Sequence, residues 1–307
     1  MSNGIGKRQN EEKSIAMLAA QRQLYSDVGA LDSLNFVLSV ILPVLFAILK
    51  ECGTQWLWLK CFSCGLSIAM LFLSRLIVRT RKNKKSIAAS IQLAFDLYVF
   101  QMPWDDKLFG KQENINPIVA EKSLKILKNE NEKNKLINWY TPIVNDMPLE
   151  EGIFTCQKEN HNWDIGIRKR YKTIAIVAIT FIVTIFFVIG FVRNDPFQDW
   201  IITVVIILPM LIWLRDVICD LNDDIYRLKE MEHTINSVTN KSMDELQVLQ
   251  KNITEHRKSA LKIPNCFYKI FKNNDEDCQH RIASMDINMW VTLLFWQQYG
   301  NRKFYRQ

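Results

Sequence analysis

Four long apolar runs, grouped as two pairs around a charged middle segment, constrain this chain more than any other feature. Thr173–Val192 holds no charged residue and matches the ~20 residues a helix needs to cross a hydrocarbon core. Leu34–Leu49 and Trp56–Val78 form the first pair; Trp200–Leu214 is shorter and extends upstream to Phe197 and downstream to Ile218. One run of that length also fits a buried core helix, but two pairs with matching flanks point to a membrane. In lipid every backbone N–H and C=O must be satisfied within the protein, which leaves helices or closed barrels. Continuous rather than alternating hydrophobicity selects helices. The expected fold class is all-α: a polytopic membrane protein with four transmembrane helices in two hairpins and a helical cytoplasmic domain.

Lysine and arginine bias sets the orientation. Arg79, Arg81, Lys82, Lys84 and Lys85 follow the second run, and Arg168, Lys169, Arg170 and Lys172 precede the third. Both clusters are expected on the cytoplasmic side, with the loops at 50–55 and 193–199 outside. Both termini then lie inside, in keeping with Lys7 and Arg8 at one end and Arg302, Lys303 and Arg306 at the other. Trp56, Trp58, Trp200 and Trp213 mark run ends, where amphipathic rings settle among headgroups. The net charge of +7 follows from the inner-face cations, attracted by anionic lipid. With no nucleic-acid motif present, a nucleic-acid polymer is not the expected partner. The first run begins too late for a cleaved leader, so the spans are read as permanent anchors.

The runs divide the chain into five parts. Residues 1–33 form an N-terminal cytoplasmic amphipathic helix, with Ile15, Leu18, Arg22 and Tyr25 at helical spacing. The first transmembrane hairpin covers 34–78, and a cytoplasmic helical insert covers 79–172. In that insert Ile87, Ile91, Phe95 and Tyr98 continue the second span as a stalk, ended by Pro103 and Trp104. Pro117 opens another helix with Ala120, Leu124 and Leu127 on one side, and helix resumes at Ile165. The second transmembrane hairpin covers 173–214 and a cytoplasmic C-terminal helical tail 215–307. Ile218, Leu221, Ile225, Leu228, Met231 and Ile235 make a heptad-like seam, which suits either packing on the chain's own stalk or self-association. Ser242 and Glu245 form a capping box, Pro264 breaks the helix it starts, and Trp290–Tyr305 either caps the inner domain or lies on the inner leaflet.

Catalytic patterns are sparse. His161, His233, His256 and His280 are scattered, and Cys61 and Cys64 form a C-x-x-C inside a span, with no second ligand pair. No phosphate loop, nucleophile elbow or dinucleotide fingerprint occurs. The expectation is no enzyme, no cofactor and no metal; Asp96 and His161 are the nearest acid–base groups and neither has a partner in sequence. Polar residues within the spans matter more, because they are costly in lipid. Asn35 and Ser39 share a face of the first span, and Ser63, Ser67 and Ser74 a face of the second. They would either line a water-filled path or let helices pack closely. Pro43 and Pro209 are candidate kinks, and Arg75 snorkels inward.

Several strings carry a likeness. Gln21-Arg22-Gln23, Phe95-Asp96, Val99-Phe100, Pro103-Trp104 and Trp139-Tyr140-Thr141-Pro142 are followed by Trp163-Asp164, Arg168-Lys169-Arg170-Tyr171, Pro264 and Phe267-Tyr268. In order and spacing these resemble the SMODS-associated four-transmembrane family of pore-forming effectors of cyclic-oligonucleotide-based antiphage signalling (CBASS). The resemblance implies residence in the bacterial inner membrane, a homo-oligomeric pore, a cyclic oligonucleotide ligand and a functional link to a cyclic-nucleotide synthase. On that implication Arg168, Lys169, Arg170, Trp163 and Tyr171 beneath the third span, with Trp104, Trp139 and Tyr140 as a stacking face, are candidates for ligand contact or gating. Asn35, Ser39, Ser63, Ser67 and Ser74 are the candidates for lining a pore. The alternative is a membrane-anchored sensor or scaffold whose inner domain binds a partner protein.

Overall fold

The computed structural model describes residues 2–52, 57–264 and 267, and no strand occurs among them. Short α1 (Ile5–Gln9) precedes α2 (Glu12–Phe36), which runs through a π-helical turn at Val37–Ile41 into α3 (Leu42–Cys52). Then α4 (Leu57–Phe100) leads to a string of smaller pieces: α5 (Asp106–Phe109), α6 (Asn116–Leu127), α7 (Glu130–Asn134) and a 3-10 turn at Pro142–Asp146. Two more rods, α8 (Leu149–Val192) and α9 (Phe197–Ser237), follow, and α10 (Met243–Ser259) comes last.

Four rods, α2–α3, α4, α8 and α9, carry segments long and apolar enough to span a membrane, so this is a multi-pass membrane protein. The rods outrun the bilayer. α4 and α8 are each 44 residues long, or ~66 Å at 1.5 Å per residue, about twice a ~30 Å hydrocarbon core. Each is therefore a greasy half joined without a break to a polar half, and the polar halves gather into a helical head.

The two layers have separate cores. In the membrane layer Val40, Ala47, Ile179, Ile206, Ile207 and Met210 meet in the middle. Phe72, Phe181, Phe191 and Val192 point outward and are exposed, the pattern expected where lipid replaces water. Pro43 is accommodated by the π-helical turn directly before it. Proline offers no N–H and its ring crowds the carbonyl four residues earlier, and a widened turn relieves both. Pro209 sits buried inside α9.

The head core is larger, with Leu18, Leu24, Ile91, Phe95, Phe100, Leu136, Ile153 and Leu246 among its buried members. Several sequence expectations change here. α2 is not amphipathic: Ile15, Met17, Leu18, Ala19, Ala20, Gln21, Gln23 and Leu24 are buried on successive faces. It is the central strut of the head, packed against both α4 and α6. α6 exists, but Leu124 is 57% exposed; Ile118, Val119, Ile126 and Leu127 face the core instead. α8 starts at Leu149, well before Ile165. The seam on α9 runs through Val217, Leu221, Asp224, Leu228, Met231 and Ile235. It packs within the chain, on Leu249 and Ile253 of α10 and on Leu261. The Ser242–Glu245 capping box is present; α10 ends at Ser259, ahead of Pro264. Trp56, the Trp163 side chain, Tyr268, His280 and Trp290–Tyr305 lie outside the described residues.

A buried polar clamp holds the head together. Asp96 of α4 accepts hydrogen bonds from the Tyr140 hydroxyl (2.6 Å), from Gln250 Nε2 (2.8 Å) and from the Arg257 guanidinium. Gln250 in turn accepts from Gln157 of α8. Burial alone would lower the Arg257 pKa, but Asp96 and neighbouring phenols outweigh it and hold it above the usual value. Removing one partner of such a pair strands a buried charge, at about 3–5 kcal/mol. Asp96→Ala is expected to destabilise the head by that amount, read as a lowered melting temperature of detergent-purified protein. Joint replacement by Asp96→Leu and Arg257→Met should recover the part due to the stranded guanidinium, while the Tyr140 hydroxyl and Gln250 amide lose their acceptor either way.

Candidate functional site

The site grows from the end of α10. Ser242 caps its start, accepting from the Glu245 N–H while Glu245 accepts from the Ser242 N–H. Its last turn ends at Ser259, after which Ala260 is extended (ψ 135°). Helix ends leave carbonyls without intrahelical partners, and here other rods supply the donors. Lys85 Nζ of α4 donates to the carbonyls of Ser259 (2.6 Å) and Ala260 (2.7 Å). Arg168 of α8 donates to the Leu261 carbonyl (2.9 Å), and Asp224 of α9 accepts from the Leu261 N–H (2.8 Å). Lys262 donates to the Tyr25 carbonyl of α2. The four residues Ser259–Lys262 thus bond to every rod that carries a span. All four anchor points lie within about three helical turns of an apolar run.

The tie is ionic at its centre. Arg168 also pairs with Asp224 and, at 2.9 Å, with Asp164. Asp164 is 2.8 Å from His256 Nε2 of α10, and Arg227 reaches Asp224 at 2.6 Å. Burial pushes the Asp164 carboxyl up, but Arg168 and His256 outweigh it and hold it below the usual range. Burial, with help from Arg81, pulls Lys85 down to about 8. Burial likewise lowers His161. Each carboxylate of the tie already faces a cation or a backbone N–H, an arrangement that passes displacement from one helix to another.

Within the membrane layer Asn35, Ser39 and Ser74 meet at one crossing. Ser74 donates to Asn35 Oδ1 at 2.7 Å; Ser39, inside the π-helical turn, lies 3.4 Å from the same oxygen and 3.5 Å from Ser74 Oγ. Ser67 donates to the Ile206 carbonyl (3.1 Å), three residues before Pro209. Ser63 is fully buried, and its hydroxyl has no hydrogen-bond partner among the described residues. At the opposite end of the layer Lys60 pairs with Asp199, and Lys50, itself 1% exposed, donates to Thr203 Oγ1 (3.0 Å).

The residues read from sequence as ligand contacts do not form one cluster. Arg168 is buried in the tie with two carboxylates, so it offers no open fork for a phosphate. Tyr140 is also buried, its ring 5.3 Å from that of Phe100 and its hydroxyl on Asp96; it presents no stacking face. Lys169 and Arg170 are exposed. Tyr171 is half-buried against Phe267, at 5.1 Å. Trp139 faces out, and Trp104 is half-buried on Phe109 with its indole N–H donating to the Gly110 carbonyl. Sequence reasoning passed over Lys85, Asp224, Lys50 and Lys60. The signals were there: Asp224 interrupts an apolar heptad, and Lys60 is a charge inside a span, which by itself marks function.

A model of the SMODS-associating 4TM effector domain matches residues 3–285. The chain belongs to this family. A protein of Bacillus cereus (strain VD146) described as a probable CBASS effector molecule, IK1_05631, is 23% identical over 207 residues, or 65% of this chain and 67% of that one. No solved structure matches. In this 4TM effector the strings that carried the resemblance are largely structural. Asp96 and Tyr140 build the clamp, and Asp164 and Arg168 build the tie.

Lys85 gives the tie a pH signature. Its pKa is about 8 in the fold against 10.5 for an ordinary lysine. Between those values the unfolded chain binds more protons than the folded one, so this group makes stability rise with pH. Thermal melts from about pH 7.5 to about pH 10 should show wild type gaining on Lys85→Gln across that window.

Proposed function

We propose that this effector forms a pore in the bacterial inner membrane, with head and termini in the cytoplasm, and that a cyclic oligonucleotide made during phage infection opens it. Opening permeabilises the membrane and arrests or kills the infected cell, without catalysis by this chain. The observation that carries the reading is the tie: one short segment bonded to all four membrane rods lets a shift of the head reach every span at once. A ligand can drive such a shift only by binding one arrangement better than the other. Moving a two-state equilibrium from 1:99 to 99:1 takes ~5.5 kcal/mol of differential affinity, and micromolar binding is worth ~8 kcal/mol. One small ligand supplies that difference when most of its contacts form only in the open arrangement.

The bundle of one copy is filled by Ile179, Ile206, Ile207 and Met210, so conduction calls for several copies, and a closed ring is the economical arrangement. Asn35, Ser39 and Ser74 would then trade their mutual bonds for water as the crossing opens. The π-helical turn beside them fits this role, since such turns recur at functional positions. Those mutual bonds also favour a second reading, in which the seam only packs helices and the spans anchor a head that recruits a protein partner.

Dye-loaded liposomes carrying the purified protein separate the two. Leakage is expected on adding a cyclic oligonucleotide, and Asn35→Leu should cut it by at least tenfold while the protein still inserts. If no cyclic oligonucleotide elicits leakage, the pore is removed and the anchor remains.

A further inference from the structure

On the head a groove of about 520 Å³ opens between α2, α4 and the segment entering α6. That volume falls within the ~300–1,000 Å³ of clefts that hold small molecules. Its floor is apolar and buried, made by Met17, Leu97 and Met102. Tyr98 and Trp104 form two aromatic walls, and the carboxamides of Gln112, Asn114 and Asn116 stand along the rim. A smaller hollow of about 70 Å³ lies beside it, also lined by Trp104, with Lys111 and Lys258 at its edge. Lys13 lies over the Tyr98 ring, 4.7 Å from its centroid.

We infer that this groove binds a cyclic oligonucleotide; the inference rests on the effector reading above and locates its ligand. The parts correspond to those of such a molecule. Bases stack on aromatic rings with little regard to identity, and Tyr98 and Trp104 supply two. Asn and Gln carboxamides pair with the donor–acceptor edge of adenine, which the rim offers three times. Glu113, the one acid among the described lining residues, accepts from an exocyclic amino group. Lys13 on the groove, with Lys111 and Lys258 at the adjoining hollow, supplies positive charge for a phosphodiester ring.

Lys13 is held lightly where it is. An exposed cation–π contact is worth ~0.5–1 kcal/mol, less than a base stack at ~1–3 kcal/mol. A base that settles on Tyr98 displaces the ammonium, which is then free for the phosphate. The position also gives the ligand purchase. Met17 and Lys13 are on the rod that enters the first span, and Leu97 and Tyr98 end the rod that leaves the second. A wedge between them acts on both rods of the first hairpin.

The test is isothermal titration of detergent-purified, full-length protein with cyclic di-AMP, cyclic di-GMP, cyclic UMP–AMP and cyclic tri-AMP. At least one is expected to bind wild type, and Trp104→Ala to weaken it about tenfold or more. Asn114→Asp is the companion variant, because Asn114 Oδ1 accepts from the Asn116 N–H (3.2 Å) and aspartate keeps that bond. It adds only a negative charge to the rim, and should weaken binding by a similar factor with an unchanged melting temperature. If Trp104→Ala fails to fold, Asn114→Asp decides. A probe that binds wild type and both variants equally overturns the groove and leaves the effector reading standing. If wild type binds none of the four, groove and ligand fall together.

Discussion

The contact between Arg168 and Asp224 holds the architecture in register. It lies where α8 and α9 leave the membrane layer, and both side chains also grip the peptide groups of Leu261. A buried ion pair adds little net stability over a well-packed apolar pair, since desolvation offsets most of the attraction. What it adds is direction. An apolar contact tolerates sliding; a guanidinium facing two carboxylates and a carbonyl does not. At this position direction is what matters, because the segment after α10 has to meet four rods that come from two separate hairpins.

The membrane half of the fold was legible because lipid leaves a chain few options. Run length and the flanking cations already placed four helices, and Pro43 marked a kink without any sign of the widened turn before it. The head was less legible because burial there comes from all sides. The face of α6 was misassigned because Leu124 and Ala120 satisfy a helical period as well as Ile118 and Val119 do, and only the position of α2 decides between them. α2 looked amphipathic for a related reason: its Ala19, Ala20 and Gln21 carry no hydrophobic signal, yet they are buried because the partner helices approach closely. Trp139 and Tyr140 read as one aromatic unit, but adjacent residues cannot share a face, and the backbone turns one out and the other in.

The basic clusters show where counting charges stops being informative. Positive-inside bias treats Arg79, Arg81, Lys82 and Lys85 alike, and Arg168, Lys169 and Arg170 alike. Helical geometry separates them. Arg79, Lys82, Lys169 and Arg170 are exposed, whereas Lys85 and Arg168 are buried and Arg81 half-buried. Arg81 pairs with Asp32 at 2.8 Å, one turn from the start of the first span. The outward members are placed to meet lipid or solvent and the inward ones bind the rods together.

The rods are fastened at both ends of the membrane layer and held loosely between. Near the head each is bonded to Ser259–Lys262; at the far end Lys60 meets Asp199 and Lys50 meets Thr203. In between, the contacts described include neutral hydrogen bonds among Asn35, Ser39 and Ser74 and one from Ser67 to a carbonyl, worth ~1 kcal/mol each, beside an exposed Arg75–Asp216 pair at 3.6 Å on the head side. Two backbone irregularities, the π-helical turn and Pro209, fall in this same middle stretch. Strain applied through the ionic end is therefore taken up where the helices are weakest and where their polar side chains already face one another. In the proposed role, the wall of a pore would first take on water at this level.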